Sequence, residues 1–214
     1  MIRDLDDTLA AMLKNRAPVG SALASAAITF DLPDSAWRKK LNKLTVNSYL
    51  YDVRENRELR RNESSLYRSA DGKKAALRRP AVRVDCAYSI TAWSVSNTDA
   101  VLEEHRVLSQ VLLVLLQNQR ILTADLKGSM VNQPQPYPTV IAAPDSTKNN
   151  PEFWKALDQE LRPALNYVVT LGMWLDPVPA DADMGRVVET ITEKQGQRDE
   201  WPYAPAQWPY KHPE

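Results

Sequence analysis

Between residues 81 and 95 the chain reads AVRVDCAYSITAWSV, and the alternation in that run constrains the fold more than any other feature. Val82, Val84, Cys86, Tyr88, Ile90 and Ala92 fall on one face of an extended strand, with Arg83, Asp85, Ser89 and Thr91 on the other. Burying that apolar face contributes on the order of 10 kcal/mol before the loss of chain entropy is subtracted. The strand therefore needs neighbours in a sheet and helices laid over its apolar side.

Residues 44–53 provide one neighbour, with Leu44, Val46, Ser48 and Leu50 on one face and Thr45, Asn47, Tyr49, Tyr51 and Val53 on the other. Residues 165–175 provide a second, with Leu165, Tyr167, Val169, Leu171, Met173 and Leu175 in alternation. Shorter strand candidates lie at 27–32, ended by Pro33 and Asp34, and at 139–143. Ile2, Leu5, Leu9, Met12 and Leu13 recur at helical intervals before Pro18 and Gly20. A second helix is expected to start at Asn97 or Thr98, with Asp99, Glu103 and Glu104 in its first turns, and to run to about residue 119. Its apolar residues Val101, Val107, Leu108, Val111, Leu112, Val114, Leu115 and Leu116 are spread so widely that it is expected to be covered on more than one side. Residues 128–138 read as a loop with Pro134, Pro136 and Pro138 favouring extended backbone. Asn150 and Pro151 start a helix whose stripe is Phe153, Trp154, Leu157 and Leu161, and Pro163 stops it.

The fold class that follows is α/β (α+β), a mixed sheet with helices packed on it, over residues 1–178. Pro177 and Pro179 end that body, and residues 179–214 form a Pro- and aromatic-rich tail. Residues 186–193 are suited to one added strand. Trp201-Pro202-Tyr203 and Trp208-Pro209-Tyr210 make an imperfect repeat whose aromatic anchors dock on the body or on a partner.

Charge narrows the function classes. The 27 basic and 27 acidic side chains balance, so whole-molecule attraction to nucleic acid is not expected and any basic surface is local. The lone Cys86 sits in an apolar strand pattern and fits a reducing compartment. The first residues, MIRDLDDTL, do not read as a signal peptide, and the apolar run 111–116 is too short to span a bilayer, so membrane insertion is not expected.

The local asymmetry lies at residues 54–79, where nine basic side chains stand against four acidic ones. Strand 44–53 runs into Arg54, Glu55, Asn56, Arg57, Glu58, Arg60 and Arg61, a segment that reads as an arm leaving the sheet to grip a neighbouring subunit, or as a solvated hairpin limb. Beyond it, 62–79 reads as a long exposed loop or hairpin tip carrying Lys73, Lys74, Arg78 and Arg79.

Catalytic patterns are sparse. The six glycines are isolated, so no phosphate-cradling loop is present, and two histidines, His105 and His212, offer neither a metal site nor a triad. Asp4, Asp6 and Asp7 suit the first turns of a helix better than a metal cluster. No cofactor is expected. Two alternatives stay open: a nucleic-acid-binding module using residues 54–79 on phosphates, and a metal-dependent nuclease built from Asp52, Glu55 and Asp85 with Lys73 or Lys74.

Four blocks in order carry a resemblance: LYDVRENRELR (50–60), RPAVRVDCAYSITAWS (79–94), EEHRVLSQVLLVLL (103–116) and FWKALDQELRPALNYVVTLGMWLDP (153–177). Together they make residues 1–178 resemble the tail-terminator, or cap, proteins of contractile injection systems, a family first catalogued as a domain of unknown function. The resemblance implies an α/β subunit of a homo-hexameric ring that sits on the last layer of the inner tube, ends its growth and holds the final sheath layer. It implies a structural, non-enzymatic role with no small-molecule substrate, assembly in the bacterial cytoplasm, and presence in a particle that is extracellular after release. Arg54, Glu55, Asn56, Arg57 and Arg60, inside the first block, are the contact residues it points to. Arg61, Lys73, Lys74, Arg78 and Arg79 extend that surface toward tube or sheath, and Trp201, Tyr203, Trp208 and Tyr210 are further anchors.

Overall fold

The structure is a computed structural model in which residues 1–69, 74–142 and 151–176 are described. Its strands are β1 (Ala27–Thr29), β2 (Thr45–Glu55), β3 (Ser65–Arg68), β4 (Ala75–Arg78), β5 (Val82–Trp93), β6 (Thr139–Ile141) and β7 (Leu165–Met173). Its helices are α1 (Ile2–Asn15), α2 (Ala22–Ser25), α3 (Ser35–Arg38), α4 (Ala100–Gln117) and α5 (Pro151–Ala156). Two compact units result. One takes in Met1–Arg61 and Ala81–Leu175; of the other, 62–69, 74–80 and Asp176 are described.

The first unit is a sheet in the order β1-β2-β5-β7-β6, with β1 parallel to β2 and every other neighbour antiparallel. This is the expected mixed sheet with helices. On one face Cys86, Tyr88, Ile90 and Ala92 of β5 join Val46 of β2 and Tyr167, Val169 and Leu171 of β7 in one buried cluster. Leu5, Leu9, Met12 and Leu13 of α1 and Val107, Val111, Val114 and Leu115 of α4 complete it. Helical spacing brings each of those sets to one side of its helix, which is why the two helices pack there. The Tyr88 hydroxyl also donates to Asp6 Oδ1 at 2.7 Å, a polar tie from sheet to α1. Burial lifts the Asp6 carboxyl above its ordinary range even though this bond partly offsets the effect.

The opposite face is less polar than the alternation suggests. Ala87, Ser89, Thr91 and Trp93 are buried too. Trp93 is covered edge-on by Trp37 of α3 at 5.3 Å between ring centroids, and by two guanidinium groups, Arg162 at 3.9 Å and Arg38 at 5.2 Å from its centroid. Arg162 is fixed there by a 2.9 Å ion pair to Glu104 of α4, so β5 runs between two covered faces.

Several expectations need correction. Val53 was expected on the face of Tyr49 and Tyr51. A β-bulge between Leu50 and Asp52 instead leaves Leu50 opposite Tyr88 and Val53 opposite Cys86, which returns Val53 to the face of Leu50. Among the described residues helix α4 is covered on one side: Leu102, Leu113 and Leu116 are 65%, 49% and 48% exposed, because only one side of it meets the sheet. Its N-cap is Asp99 rather than Asn97 or Thr98, and Ser96 Oγ accepts from the Thr98 and Asp99 amides just before it. Strand β1 stops at Thr29 because the Asn47 side chain accepts from the Thr29 hydroxyl and the Asp31 amide and donates to the Asp31 carbonyl. Gly128–Asn132 is a 3₁₀ turn rather than open loop, and α5 ends at Ala156 with Trp154 as its buried anchor and Leu161 beyond it exposed. Asn150 lies outside the described residues.

Candidate functional site

The charged segment after residue 53 does not leave the sheet at once. Arg54 and Glu55 remain laddered to Asp85 and Val84 of β5, and the chain turns away only at Asn56. Asn56 makes that turn by using both its backbone and its side chain. Its amide donates to the Arg83 carbonyl at 2.8 Å, and its Nδ2 reaches the two Asp85 carboxylate oxygens at 3.1 and 3.2 Å. Its Oδ1 accepts from the Leu59 amide at 3.0 Å and so holds the turn closed. Asp85 is fastened in turn by the Thr170 hydroxyl of β7 at 2.7 Å. One chain of hydrogen bonds therefore ties the turn to two strands, and Asn56, expected as a contact residue, is largely engaged in that tie.

The side chains around it are presented outward. Arg54, Glu55, Arg57, Glu58, Leu59, Arg60 and Arg61 are exposed. Arg54 stands 3.8 Å from Asp52, and Arg60 stands 3.6 Å from Glu55. At those lengths and that exposure each pair contributes about 0–1 kcal/mol, so a partner that offers closer oppositely charged groups displaces them readily.

In the second unit, the segment expected as a loop or hairpin tip is a hairpin. Strand β3 pairs antiparallel with β4, and Ser69 closes its end through bonds to the backbone of Lys74. Arg78 is buried and donates to the Asp176 carbonyl at 2.6 Å, with its guanidinium 6.0 Å from the centroid of the Tyr67 ring. Arg79 is exposed and grips the Asp176 carboxylate with two nitrogens, Nε at 2.9 Å from Oδ2 and Nη2 on Oδ1. That bidentate contact holds the Asp176 carboxyl below its usual range and raises the Arg79 guanidinium. Arg78 and Arg79 are thus engaged within this unit as well as being candidates for contact. Lys73, Trp201, Tyr203, Trp208 and Tyr210 lie outside the described residues.

Among the described residues the nuclease set is not assembled. Asp52, opposite Ala87, shares a face with Asp85, but it stands beside Arg54, Asp85 is committed to Asn56 and Thr170, and Glu55, opposite Val84, projects from the other face of the sheet. Among the described residues no group of three or more His, Cys, Asp or Glu is placed to hold a metal ion, and no helix is long and apolar enough to cross a membrane. Sequence reasoning missed Asp85 and Thr170 as supports, and Asp176 as the partner of Arg79. The signal for Asp85 was its place on the polar face of β5; Asp176 is too distant in sequence to have left one.

Comparison with known proteins agrees with this architecture. The family model described as the Pvc16 N-terminal domain matches residues 4–186. The cryo-EM structure of the sheath/tube terminator of an extracellular contractile injection system, PVC, in its extended state aligns with a TM-score of 0.60 at 24% identity, covering 100% of this chain and 64% of that one. The cryo-EM structure of the anti-feeding prophage cap, the AFP tube-terminating cap, aligns with a TM-score of 0.57 at 28% identity, covering 85% of this chain and 59% of that one. This chain thus spans somewhat less than two thirds of the length of either. None of the curated proteins compared with it matches.

Proposed function

The chain belongs to the Pvc16 N-terminal domain family, and from that premise we propose that it ends the inner tube and sheath of a contractile injection particle. The observation that carries this reading is the reach of the family match, residues 4–186, which takes in the whole described sheet and the charged turn after β2. The likeness to two solved caps, one of a tube and one of a sheath and tube, supports the same role.

In this reading the chain acts by adhesion and exclusion and carries out no catalysis. Copies of it close into a homo-hexameric ring, which requires a heterologous interface that repeats around the axis. One side of the ring stacks on the last tube layer and meets the sheath, and the other side lacks the stacking contacts, so the polymer stops. Arg54, Glu55, Arg57, Arg60 and Arg61 contact the neighbour or the tube, with Asn56 setting their position. Lys74 and the exposed Arg79 contact tube or sheath, together with Lys73, whereas the buried Arg78 supports the hairpin through Asp176. The body is residues 1–178, and the tail 179–214 docks through Trp201, Tyr203, Trp208 and Tyr210 on that body or on a partner. Assembly takes place in the bacterial cytoplasm, and the chain leaves with the released particle.

The test is particle length. Deleting the gene and measuring tubes by electron microscopy should give long, variable tubes, and restoring the gene should return one length. Tubes of unchanged, uniform length in the deletion would overturn the proposal.

A further inference from the structure

Helix α4 turns a second apolar stripe away from the sheet. Leu102, Arg106, Ser109, Leu113 and Leu116 recur at intervals of three and four that bring them to one side of the helix, and all of them are exposed. His105, also exposed, and Leu112, half-buried, flank them. Arg106 is the sole formal charge on this stripe, where a solvated helix face carries charge at most positions. The two acidic side chains of the helix are used elsewhere: Glu103 accepts from the Ser94 hydroxyl and Glu104 from the Ser94 amide, and Glu104 also pairs with Arg162.

The stripe is also symmetric about its middle. Ser109 stands seven residues from both Leu102 and Leu116, four from both His105 and Leu113, and three from both Arg106 and Leu112. In an antiparallel pair of these helices crossing at Ser109, Leu102 of each copy therefore comes level with Leu116 of the other, His105 with Leu113, and Arg106 with Leu112. The leucines at the two ends cover each other, and the small side chain at the crossing lets the backbones approach. The Arg106 stem lies along leucine while its guanidinium stays at the wet edge. The Ser109 hydroxyl donates to the His105 carbonyl of its own helix at 2.7 Å, so the crossing buries no unmet donor.

We propose that the outer face of α4 binds the α4 of a second copy of this chain, antiparallel, across a two-fold axis at Ser109. Self-complementarity selects that occupant. A nucleic acid or an acidic protein would find one arginine on the stripe, and a basic partner would find no carboxylate, whereas a second copy matches leucine to leucine at both ends. The 18-residue helix is about 27 Å long, so the strip it offers, about 10 Å wide, is smaller than the roughly 800 Å² per partner of a standard interface. The dimer is accordingly weak and forms as concentration rises. An isologous contact closes at two copies, so it is distinct from the heterologous contact of a ring and does not depend on the cap role. It covers the outer leucines while the chain is free of its tube.

Sedimentation of the full chain from about 1 μM to about 1 mM tests this, the range in which a contact of that size acts. A monomer–dimer equilibrium is expected, and it should change little between ionic strengths of about 0.1 M and about 1 M because the contact is apolar. Leu113→Glu should weaken the dimer about tenfold or more, since the axis sets two carboxylates among leucines. Leu113 is half exposed, so the variant should fold, which circular dichroism checks. Cysteine cross-linking reads the axis itself. Ser109→Cys places two Cα atoms within the ~4.4–6.8 Å that a disulfide spans and should give a covalent dimer on oxidation. Arg106→Cys sets them about 9 Å apart along the helices and should not. Cys86 is buried and takes no part. A wild-type chain that stays monomeric throughout, a dimer lost at high salt or untouched by Leu113→Glu, or cross-linking through Arg106→Cys in place of Ser109→Cys would each overturn the proposal.

Discussion

Asn56 is the residue through which the charged turn is joined to the sheet, and replacing it separates two effects that its position combines. Asn56→Ala removes the Nδ2 bonds to Asp85 and the Oδ1 bond from the Leu59 amide, while the backbone bond to Arg83 survives. A hydrogen bond to a charged group contributes about 1.5–3 kcal/mol and a neutral one about 0.5–1.5 kcal/mol. The site is half-buried and water replaces part of both, so the expected loss is about 1–2 kcal/mol. Asn56→Asp goes further, because it sets a second carboxylate where Asp85 now accepts bonds at 3.1 and 3.2 Å. Two like charges that close add at least about 1 kcal/mol even at the dielectric of water. The aspartate keeps an acceptor for the Leu59 amide, worth about 0.5–1.5 kcal/mol, so at neutral pH the two variants lie within about 1 kcal/mol of each other and their ordering turns on the protonation of the carboxyl pair. That ordering depends on pH. Repulsion raises the folded-state pKa of one of the two carboxyls above its unfolded value, so the added penalty is fully present above the raised pKa and disappears as pH falls below about 4. Urea denaturation of both variants at neutral pH and at about pH 4 reads the difference directly. Equal stabilities for the two variants at every pH, or a loss of less than about 0.5 kcal/mol for Asn56→Ala, would refute the role assigned to this side chain.

Two further outcomes follow from the body of the fold. Asp6→Asn keeps an acceptor for the Tyr88 hydroxyl and removes a carboxylate whose ionisation burial opposes; wild type should lose stability relative to this variant as pH rises from the ordinary value of 3.8 through the raised one, and match it below 3.8, as denaturation across that window will show. Trp93→Ala empties a fully buried site and leaves the Arg38 and Arg162 guanidinium groups without their ring, at a cost of about 3–5 kcal/mol measurable by thermal unfolding; a loss below about 1 kcal/mol would mean that this face collapses around the gap.

Strands β2, β5 and β7 and helix α1 were legible because period-2 and period-3.6 patterns report directly which side faces a core. What escaped was set by contacts remote in sequence. The bulge after Leu50 shifts the register of β2 by one residue, and nothing local in TVNSYLYDVRE distinguishes Val53 before from Val53 after that shift. Apolar spacing on α4 exceeds what one sheet face can cover, so it could not say which leucines would be left outside. Trp93 sits on a face that alternation assigns to polar residues and is buried only because Trp37, Arg38 and Arg162 come over it from distant segments. The charged segment itself was plain in the sequence. Its anchoring was not, since Asn56, Asp85 and Thr170 meet only after three strands have formed.

That anchoring supports the contact role proposed for a surface held together by weak pairs. Ordering flexible arginine side chains at an interface costs about 0.5–1.5 kcal/mol each, and a turn free to move would add its own backbone entropy to that loss. Here the turn from Asn56 is already fixed to β5 and β7, so binding has to order only the side chains. The guanidinium groups, in contrast, sit at 3.6 and 3.8 Å from their internal partners and give up little when they turn outward. A fixed backbone with loosely held charges is what reversible, salt-sensitive association requires. The same segment could not be both firmly paired within the chain and available to a neighbour.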